Sequence, residues 1–119
     1  MRILLINPNT SEEFTKRVQA IADRYALPGT TAVAMNPTSG PRSIEGVYDE
    51  LLSSPGTLEL AITHMDDFDA FVIACYSDHP TIYALREITN KPVLGIAEAS
   101  MYVACMLGYN FSVVTTNEE

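Results

Sequence analysis

The sequence contains few basic residues. Its 119 residues include seven Lys and Arg against fifteen Asp and Glu, which gives a formal net charge of −8. A chain of this charge repels phosphate backbones, and no basic patch with interleaved aromatic residues occurs in it. We therefore expect no nucleic-acid partner. The acidic residues are scattered along the chain, which is typical of a solvated surface.

Cysteine and histidine are also scarce, with two of each. Cys75 and Cys105 do not form a CxxC pair, and no zinc-ligand spacing or H-E-x-x-H arrangement occurs, so we expect no metal site. The first apolar run stops at Asn7-Pro8, far short of the ~18 residues that a membrane span needs. No signal peptide is visible. The sequence therefore predicts a cytoplasmic protein with free thiols and no membrane partner.

Apolar runs and helical repeats alternate along the chain, which is 47% hydrophobic and 18% charged. This composition is typical of one globular domain. The pattern predicts a helical break at Ser53-Ser54-Pro55-Gly56. Short apolar runs predict strands at residues 2–6, 30–36, 70–75, 92–95 and 111–115. Repeats at helical spacing predict helices that begin near residues 10, 43, 57, 81 and 97.

Strands that alternate with helices indicate an α/β fold of three layers, a parallel sheet with helices on both faces. Such sheets bind ligands beyond the carboxyl ends of their strands. Three polar segments follow predicted strands at that edge, namely residues 7–11, 75–80 and 115–117. Their expected convergence is the first indication of a functional site.

Cys75 is the first candidate for chemistry. It ends a predicted strand just before a helix, where backbone N–H groups and the helix N-terminus would lower the pKa of a thiol. A thiolate can act as a base or as a nucleophile. The alternative is a small buried hydrophobic residue. Cys105 lies within an apolar helical run, so we expect it to pack in the core.

The residues after Cys75 have structural interpretations as well as functional ones. Asp78 is expected to cap the helix that begins near residue 81. His79 is expected to be an exposed turn residue, although it could instead pair with Cys75 or with a substrate carboxylate. His64, beside two aspartates, is expected to face solvent.

The first turn offers an anion site. Asn7, Asn9, Thr10 and Ser11 bring amides, hydroxyls and the free N–H groups of a helix start, which suit a carboxylate or phosphate. The alternative is a capped turn with no ligand, in which Thr10 begins a capping box. The turn has no G-x-G-x-x-G and no P-loop, so nucleotide binding has no support.

Four segments of the chain resemble one enzyme family. RILLINPNTS, DAFVIACYSD, KPVLGIAEASM and FSVVTT are similar to the hydantoin/allantoin racemase branch of the aspartate/glutamate racemase superfamily. The resemblance implies an enzyme of two αβ lobes related by a pseudo-twofold axis, each with one cysteine facing the cleft. One thiolate removes a proton from the chiral carbon, and the opposite thiol returns one to the other face. No cofactor is implied, neither PLP nor a metal.

The resemblance assigns roles to particular residues. Cys75 matches the catalytic cysteine of the first lobe. Residues 1–110 match that lobe, and residues 111–119 match the start of the second. This boundary fits the similarity between ILLINPNT and FSVVTTN, two apolar segments that end in hydroxyl and amide residues. The predicted substrate-binding residues are Asn7, Asn9, Thr10, Ser77, Asp78, Thr115 and Thr116.

The sequence also departs from the family pattern. Members are about twice as long, so we expect the second cysteine beyond Glu119, and Cys105 cannot replace it from within a helix of the first lobe. The turn after the cysteine usually reads close to Gly-Asp-Pro-Gly, whereas residues 77–80 read Ser-Asp-His-Pro. The lost glycine affects how closely the backbone approaches a substrate.

The leading hypothesis is therefore a racemase that acts on a small molecule with a carboxylate or a hydantoin-like group. The first alternative is a cysteine-based decarboxylase or cis–trans isomerase of small diacids, and the second is a non-catalytic αβ binding module. An isolated lobe would expose the apolar face that meets its partner, so we expect a homo-oligomer.

Overall fold

The computed structural model describes residues 1–115, in which four strands alternate with four helices. The sheet is parallel throughout and has the order β2-β1-β3-β4. The predicted α/β fold is confirmed. The elements are β1 (Arg2–Ile6), α1 (Glu12–Tyr25), β2 (Thr31–Met35), α2 (Val47–Thr63), β3 (Ala70–Ile73), α3 (Pro80–Ile88), β4 (Val93–Gly95) and α4 (Ile96–Leu107).

The core lies against the two central strands. Leu4 and Ile6 of β1 are in register with Phe71 and Ile73 of β3, and all four side chains are fully buried. Burial of side chains of this kind contributes about 1.5–3 kcal/mol each. Because crossovers between parallel strands are right-handed, the strand order predicts α1 on one face of the sheet and α2 and α3 on the other. α2 packs against α3, and the core is completed by Ala61, Phe68, Ile82, Leu85 and Val93.

The strand order reverses between β1 and β3. The chain leaves β1 toward β2 on one side of the sheet, while β3 and β4 lie on the other side. In open α/β sheets such a switch point is where ligands bind, beyond the carboxyl ends of the strands. The Asn7 N–H donates to the carbonyl of Met35 at 2.9 Å, and the Ala74 N–H donates to that of Ile6 at 2.8 Å. The turns that follow β1 and β3 therefore leave the sheet at the same edge.

The predicted break at residues 53–56 is wrong, because α2 continues through Pro55 to Thr63. Proline removes one helical N–H donor and crowds the preceding turn. Ser53 and Thr57, however, are fully buried on one face of α2, and their hydroxyls donate to the carbonyls of Glu50 and Ser53 at 2.8 Å each. Tertiary packing of this face outweighs the local propensity to break.

The predicted strand at residues 111–115 is also wrong. The segment has no regular structure and its residues are exposed. A strand needs a hydrogen-bonded neighbour, and this segment pairs with no strand of the described chain. Thr116 and Asn117, part of the third predicted polar segment, lie outside the described residues.

Cys105 is exposed rather than buried, so its predicted place in the core is wrong. Ala97 is the one buried residue of α4, all of which is described. The outer face of the helix exposes Tyr102, Met106 and Leu107, and apolar surface of this kind is typical of a protein interface. A homo-oligomer remains a prediction. Within residues 1–115, no helix combines the length and the apolar character needed to cross a bilayer.

We expect Gly56→Ala to destabilise the fold. A Cβ on Gly56 would lie 2.8 Å from the carbonyl oxygen of Ser39 and 3.0 Å from the Cβ of Pro37. Alanine favours helices over glycine by about 1 kcal/mol, but overpacking against a backbone oxygen costs about 1–3 kcal/mol. The free energy of unfolding in urea should therefore fall by up to about 2 kcal/mol, the difference of these terms.

Glu59→Ala, at an exposed position of the same helix, is the matched control and should change stability by no more than about 0.5 kcal/mol. A Gly56→Ala protein that is more stable than wild type would contradict the close approach of the loop at residues 37–42.

Candidate functional site

A cavity of about 650 Å³ opens beside Cys75. One wall consists of residues 44–51, which include the first turns of α2. The other wall is the turn that carries Cys75, Ser77 and Asp78, and Thr115 also lines the cavity. Four of the predicted site residues thus line one cavity, at the sheet edge where the strand order reverses. Its volume falls in the range of about 300–1,000 Å³ that small-molecule sites occupy.

Cys75 is half-buried and packs against the edge of the core. Burial raises the pKa of its thiol above the ordinary 9.0, and the negative charge of Glu50 raises this pKa further. A hydrogen bond from the Ser77 hydroxyl to Sγ, at 3.3 Å, has the opposite, smaller effect. The predicted lowering is therefore wrong. β3 ends at Ile73 and α3 begins only at Pro80, so the thiol lies well ahead of the helix N-terminus whose field would stabilise a thiolate.

Asp78 does not cap α3, contrary to the prediction. Its carboxylate is exposed and accepts a hydrogen bond from the hydroxyl of Tyr83 at 2.6 Å. The cap is His79, whose side chain accepts the N–H of Thr81. A second tyrosine holds the other end of the turn, because the hydroxyl of Tyr76 lies 2.9 Å from that of Ser100 on α4.

His79 is fully buried, so the prediction of an exposed turn residue is wrong. Its Nε2 lies 2.9 Å from the hydroxyl of Ser53, and its Nδ1 lies 2.8 Å from that of Thr81. These partners occupy both ring nitrogens, which also removes the alternative in which His79 pairs with Cys75. Burial lowers the pKa of His79 below its ordinary value, and the charge of Glu50 opposes this shift. His64 is half-exposed and lies 3.3 Å from the carboxylate of Asp67.

The first turn forms a hydrogen-bonded cluster of its own. Asn7 is buried, and its Nδ2 donates to the Oδ1 of Asn9 at 2.7 Å and to the hydroxyl of Thr15 at 3.1 Å. The Ser11 N–H donates to Asn9 Oδ1 at 2.8 Å. Ser11, rather than Thr10, caps α1 by accepting the N–H of Phe14.

Thr10 contacts a different part of the chain. Its backbone N–H and its hydroxyl donate to the carbonyl of Pro41 at 3.0 and 3.3 Å. Asn7, Asn9 and Thr10 are absent from the described lining of the Cys75 cavity. The cavity therefore brings together Cys75, Ser77, Asp78 and Thr115 but not these three residues, and their substrate-binding role remains a prediction.

The wall opposite Cys75 was not predicted from the sequence. Glu45 and Glu50 lie there, and together with Asp78 they place three carboxylates around the cavity. None of its described lining residues is Lys, Arg or His. No local signal in the sequence predicts that residues 44–51 lie opposite the turn after β3, because these two segments are distant in the sequence. Within the described part of the chain, no three His, Cys, Asp or Glu residues are placed to hold a metal ion.

The family model described as Asp/Glu/Hydantoin racemase matches residues 3–119. A hydantoin racemase of Pseudomonas sp. (strain NS671) is 50% identical over 116 residues, which cover 97% of this chain and 46% of the relative. A hydantoin racemase of Paenarthrobacter aurescens is 39% identical over 117 residues, or 97% of this chain and 49% of the relative. The chain therefore spans about half the length of the curated relatives it matches.

Two solved structures are similar to this fold. An allantoin racemase from Pseudomonas fluorescens superposes with a TM-score of 0.92 at 35% identity, covering 99% of this chain and 50% of its own. An allantoin racemase from Klebsiella pneumoniae superposes with a TM-score of 0.83 at 43% identity, covering 89% of this chain and 43% of its own.

We expect the rate of Cys75 alkylation by iodoacetamide to have a pH midpoint above the ordinary thiol value of 9.0, because burial raises the pKa of Cys75. A Cys105→Ser background restricts the measurement to Cys75. Ser77→Ala should move the midpoint further up, since it removes the hydrogen bond to the thiolate. The folded thiol resists ionisation, so the stability of the protein should fall as pH rises above 9.0. A midpoint below 9.0 would contradict this assignment.

Proposed function

We propose that this chain, which belongs to the Asp/Glu/Hydantoin racemase family, supplies one half of the active site of a cofactor-independent racemase. Cys75 is the group that exchanges a proton with the chiral carbon of a hydantoin-like or amino-acid-like substrate. The observation that carries the proposal is the position of Cys75, which lines a cavity at the switch point of the sheet.

Inverting a carbon centre requires two groups, because the proton leaves from one face and arrives on the other. A thiolate on one side takes the proton from carbon and becomes a thiol, and a thiol on the opposite side gives its proton and becomes a thiolate. The charge is conserved in each turnover, and the reverse reaction uses the same groups with their roles exchanged. The raised pKa of Cys75 suits the donor role, and the Ser77 hydroxyl stabilises the thiolate that remains.

The carbanion formed between these steps needs hydrogen-bond donors at its carbonyl or carboxylate oxygens. Ser77 and Thr115 line the cavity and carry hydroxyls that can serve, with Thr116 following directly in the sequence. Asn7, Asn9 and Thr10 form the neighbouring turn at the same edge of the sheet, and we assign to this turn the binding of the distal end of the substrate.

The charge of the cavity favours a neutral substrate. Glu50 and Asp78 line the cavity together with Cys75, and carboxylates repel an anion bound beside them. A hydantoin ring is uncharged and carries the same kind of acidic carbon as an amino acid. This half of the site therefore supports a hydantoin-like substrate more strongly than a small diacid, which weighs against the decarboxylase and diacid isomerase alternatives.

Three further assignments belong to this proposal. Residues 1–110 constitute one lobe and residues 111–119 begin a second, in keeping with relatives about twice as long. The protein works in a reducing compartment such as the cytoplasm, since Cys75 and Cys105 are both free. The exposed apolar face of α4 supports a homo-oligomer.

The test is an assay of the gene product that contains residues 1–119, using one enantiomer of a 5-substituted hydantoin and following the loss of optical rotation. Cys75→Ser should lower the enzymatic rate by about 10²–10⁴-fold, the usual contribution of a general acid or base. Cys105→Ser is the matched control and should leave the rate unchanged, because Cys105 is exposed on α4. Full racemisation by the Cys75→Ser protein would rule out the proposal.

A further inference from the structure

A chain of buried polar groups lies beneath the Cys75 cavity. The Ser53 hydroxyl donates to the carbonyl of Glu50 at 2.8 Å and lies 2.9 Å from the Nε2 of His79. On the other side of the ring, Nδ1 accepts the backbone N–H of Thr81 at 3.3 Å and lies 2.8 Å from the Thr81 hydroxyl. Ser53, His79 and Thr81 are all fully buried.

The partners determine where the imidazole proton lies. A backbone N–H can only donate, so the Thr81 N–H requires Nδ1 to be unprotonated. The Ser53 hydroxyl has one proton, which is directed to the Glu50 carbonyl, so its oxygen accepts from His79. Nε2 must therefore carry the proton. The Thr81 N–H selects this neutral tautomer, and the bond from Ser53 to the Glu50 carbonyl is compatible with it.

This bond joins the two walls of the cavity. Ser53 lies one turn after Glu50 on α2, and the first turns of α2 form one wall. His79 and Cys75 belong to the same turn after β3, which forms the other wall. The contact between Nε2 and Ser53 thus ties α2 to the turn that holds the thiol.

We infer that His79 is a positioning residue for Cys75, and that its neutral Nε2–H tautomer holds the Cys75 turn against α2. The burial of the thiol then depends on Ser53 and His79, although neither lines the cavity. The functional meaning of this inference rests on the proposed role of Cys75, but the tautomer and the contact can be measured without any enzymatic activity.

The charged and titratable groups around His79 agree with a neutral ring. Glu50 acts on it from α2 and favours its protonation, while burial disfavours protonation and is the larger effect. Within its own turn, Asp78 is exposed and bonded to Tyr83, and Cys75 holds its proton. A proton on Nδ1 would face the Thr81 N–H, donor against donor, so protonation opens the contact.

The first test is the protonation state of the ring, read from the ¹⁵N chemical shifts of the imidazole nitrogens. At pH 7 we expect Nε2 to be protonated and Nδ1 to be bare. His64, the other histidine of the chain, is the internal reference. A proton on Nδ1 at pH 7, in either the other tautomer or the cation, would overturn the inference.

The lowered pKa of His79 also predicts the direction in which stability changes with pH. Unfolded His79 takes up a proton near its ordinary pKa of 6.5, and the folded residue takes it up only at lower pH. Its stabilising contribution is therefore complete above pH 6.5 and is lost as pH falls through the lowered pKa. Urea unfolding measured between pH 8 and 5 should show this loss of stability in the His64→Gln variant, which retains His79. The His79→Gln variant should not show it. Equal pH dependence in these two variants would contradict the neutral, buried ring.

The second test compares two serines. The hydroxyls of Ser53 and Ser54 both donate to the Glu50 carbonyl, but only that of Ser53 contacts His79. In a Cys105→Ser background, Ser53→Ala should raise the alkylation rate of Cys75 about fivefold, the factor that one net hydrogen bond represents. Ser54→Ala should leave the rate within twofold. Equal rates in the two variants would overturn the inference.

Substitutions of His79 separate positioning from general stability. Asn places an oxygen near the position of Nδ1 and keeps the cap of α3, but it cannot reach Ser53. His79→Asn should therefore raise the Cys75 rate by the same factor as Ser53→Ala, and the double variant should show no further increase. In the gene product assayed for racemisation, Ser53→Ala should lower kcat and leave KM within twofold. Additive effects of Ser53→Ala and His79→Asn would contradict a shared contact.

These outcomes are distinct from those that test the proposed function. Racemisation that survives Cys75→Ser rules out the role of the thiol and leaves the contact between His79 and Ser53 intact. A Cys75 alkylation rate that is unchanged by Ser53→Ala rules out the positioning role of His79 and does not affect the proposed catalytic role of Cys75.

Discussion

The parallel pairing of β1 with β3 is the constraint on which the rest of the structure depends. It stacks Leu4 and Ile6 beside Phe71 and Ile73 in the centre of the core. Because β2 lies on the outer side of β1, and β4 on the outer side of β3, the same pairing creates the switch point. The turns after both strands then leave at one edge, and the cavity beside Cys75 forms there.

Much of the fold could be predicted because its information is local. The apolar runs of β1, β2, β3 and β4 and the helical repeats between them are visible in the sequence, and their alternation implies a parallel sheet. The predictions of secondary structure are wrong where contacts between distant parts of the chain determine the structure. α2 runs through Pro55 because Ser53 and Thr57 are buried, and residues 111–115 form no strand because no neighbouring strand pairs with them.

The candidate site was predictable only in part for the same reason. Cys75, Ser77 and Asp78 follow a strand directly, so their place at the sheet edge follows from the topology. The environment of the thiol does not, since Cys75 packs against the core and the charge of Glu50 acts on it from a helix about 25 residues earlier in the sequence. His79 has the sequence context of an exposed turn residue, yet Ser53 and Thr81 satisfy both of its nitrogens and allow it to be buried.

We propose that one buried imidazole holds the turn, that the turn presents one thiol, and that this thiol exchanges a proton with carbon. Deuterium transfer tests that exchange most directly. In D₂O, the product enantiomer formed by the gene product should carry deuterium at its chiral carbon, and this incorporation should disappear in Cys75→Ser. Product that retains its original hydrogen, or unchanged deuterium incorporation by Cys75→Ser, would contradict the account.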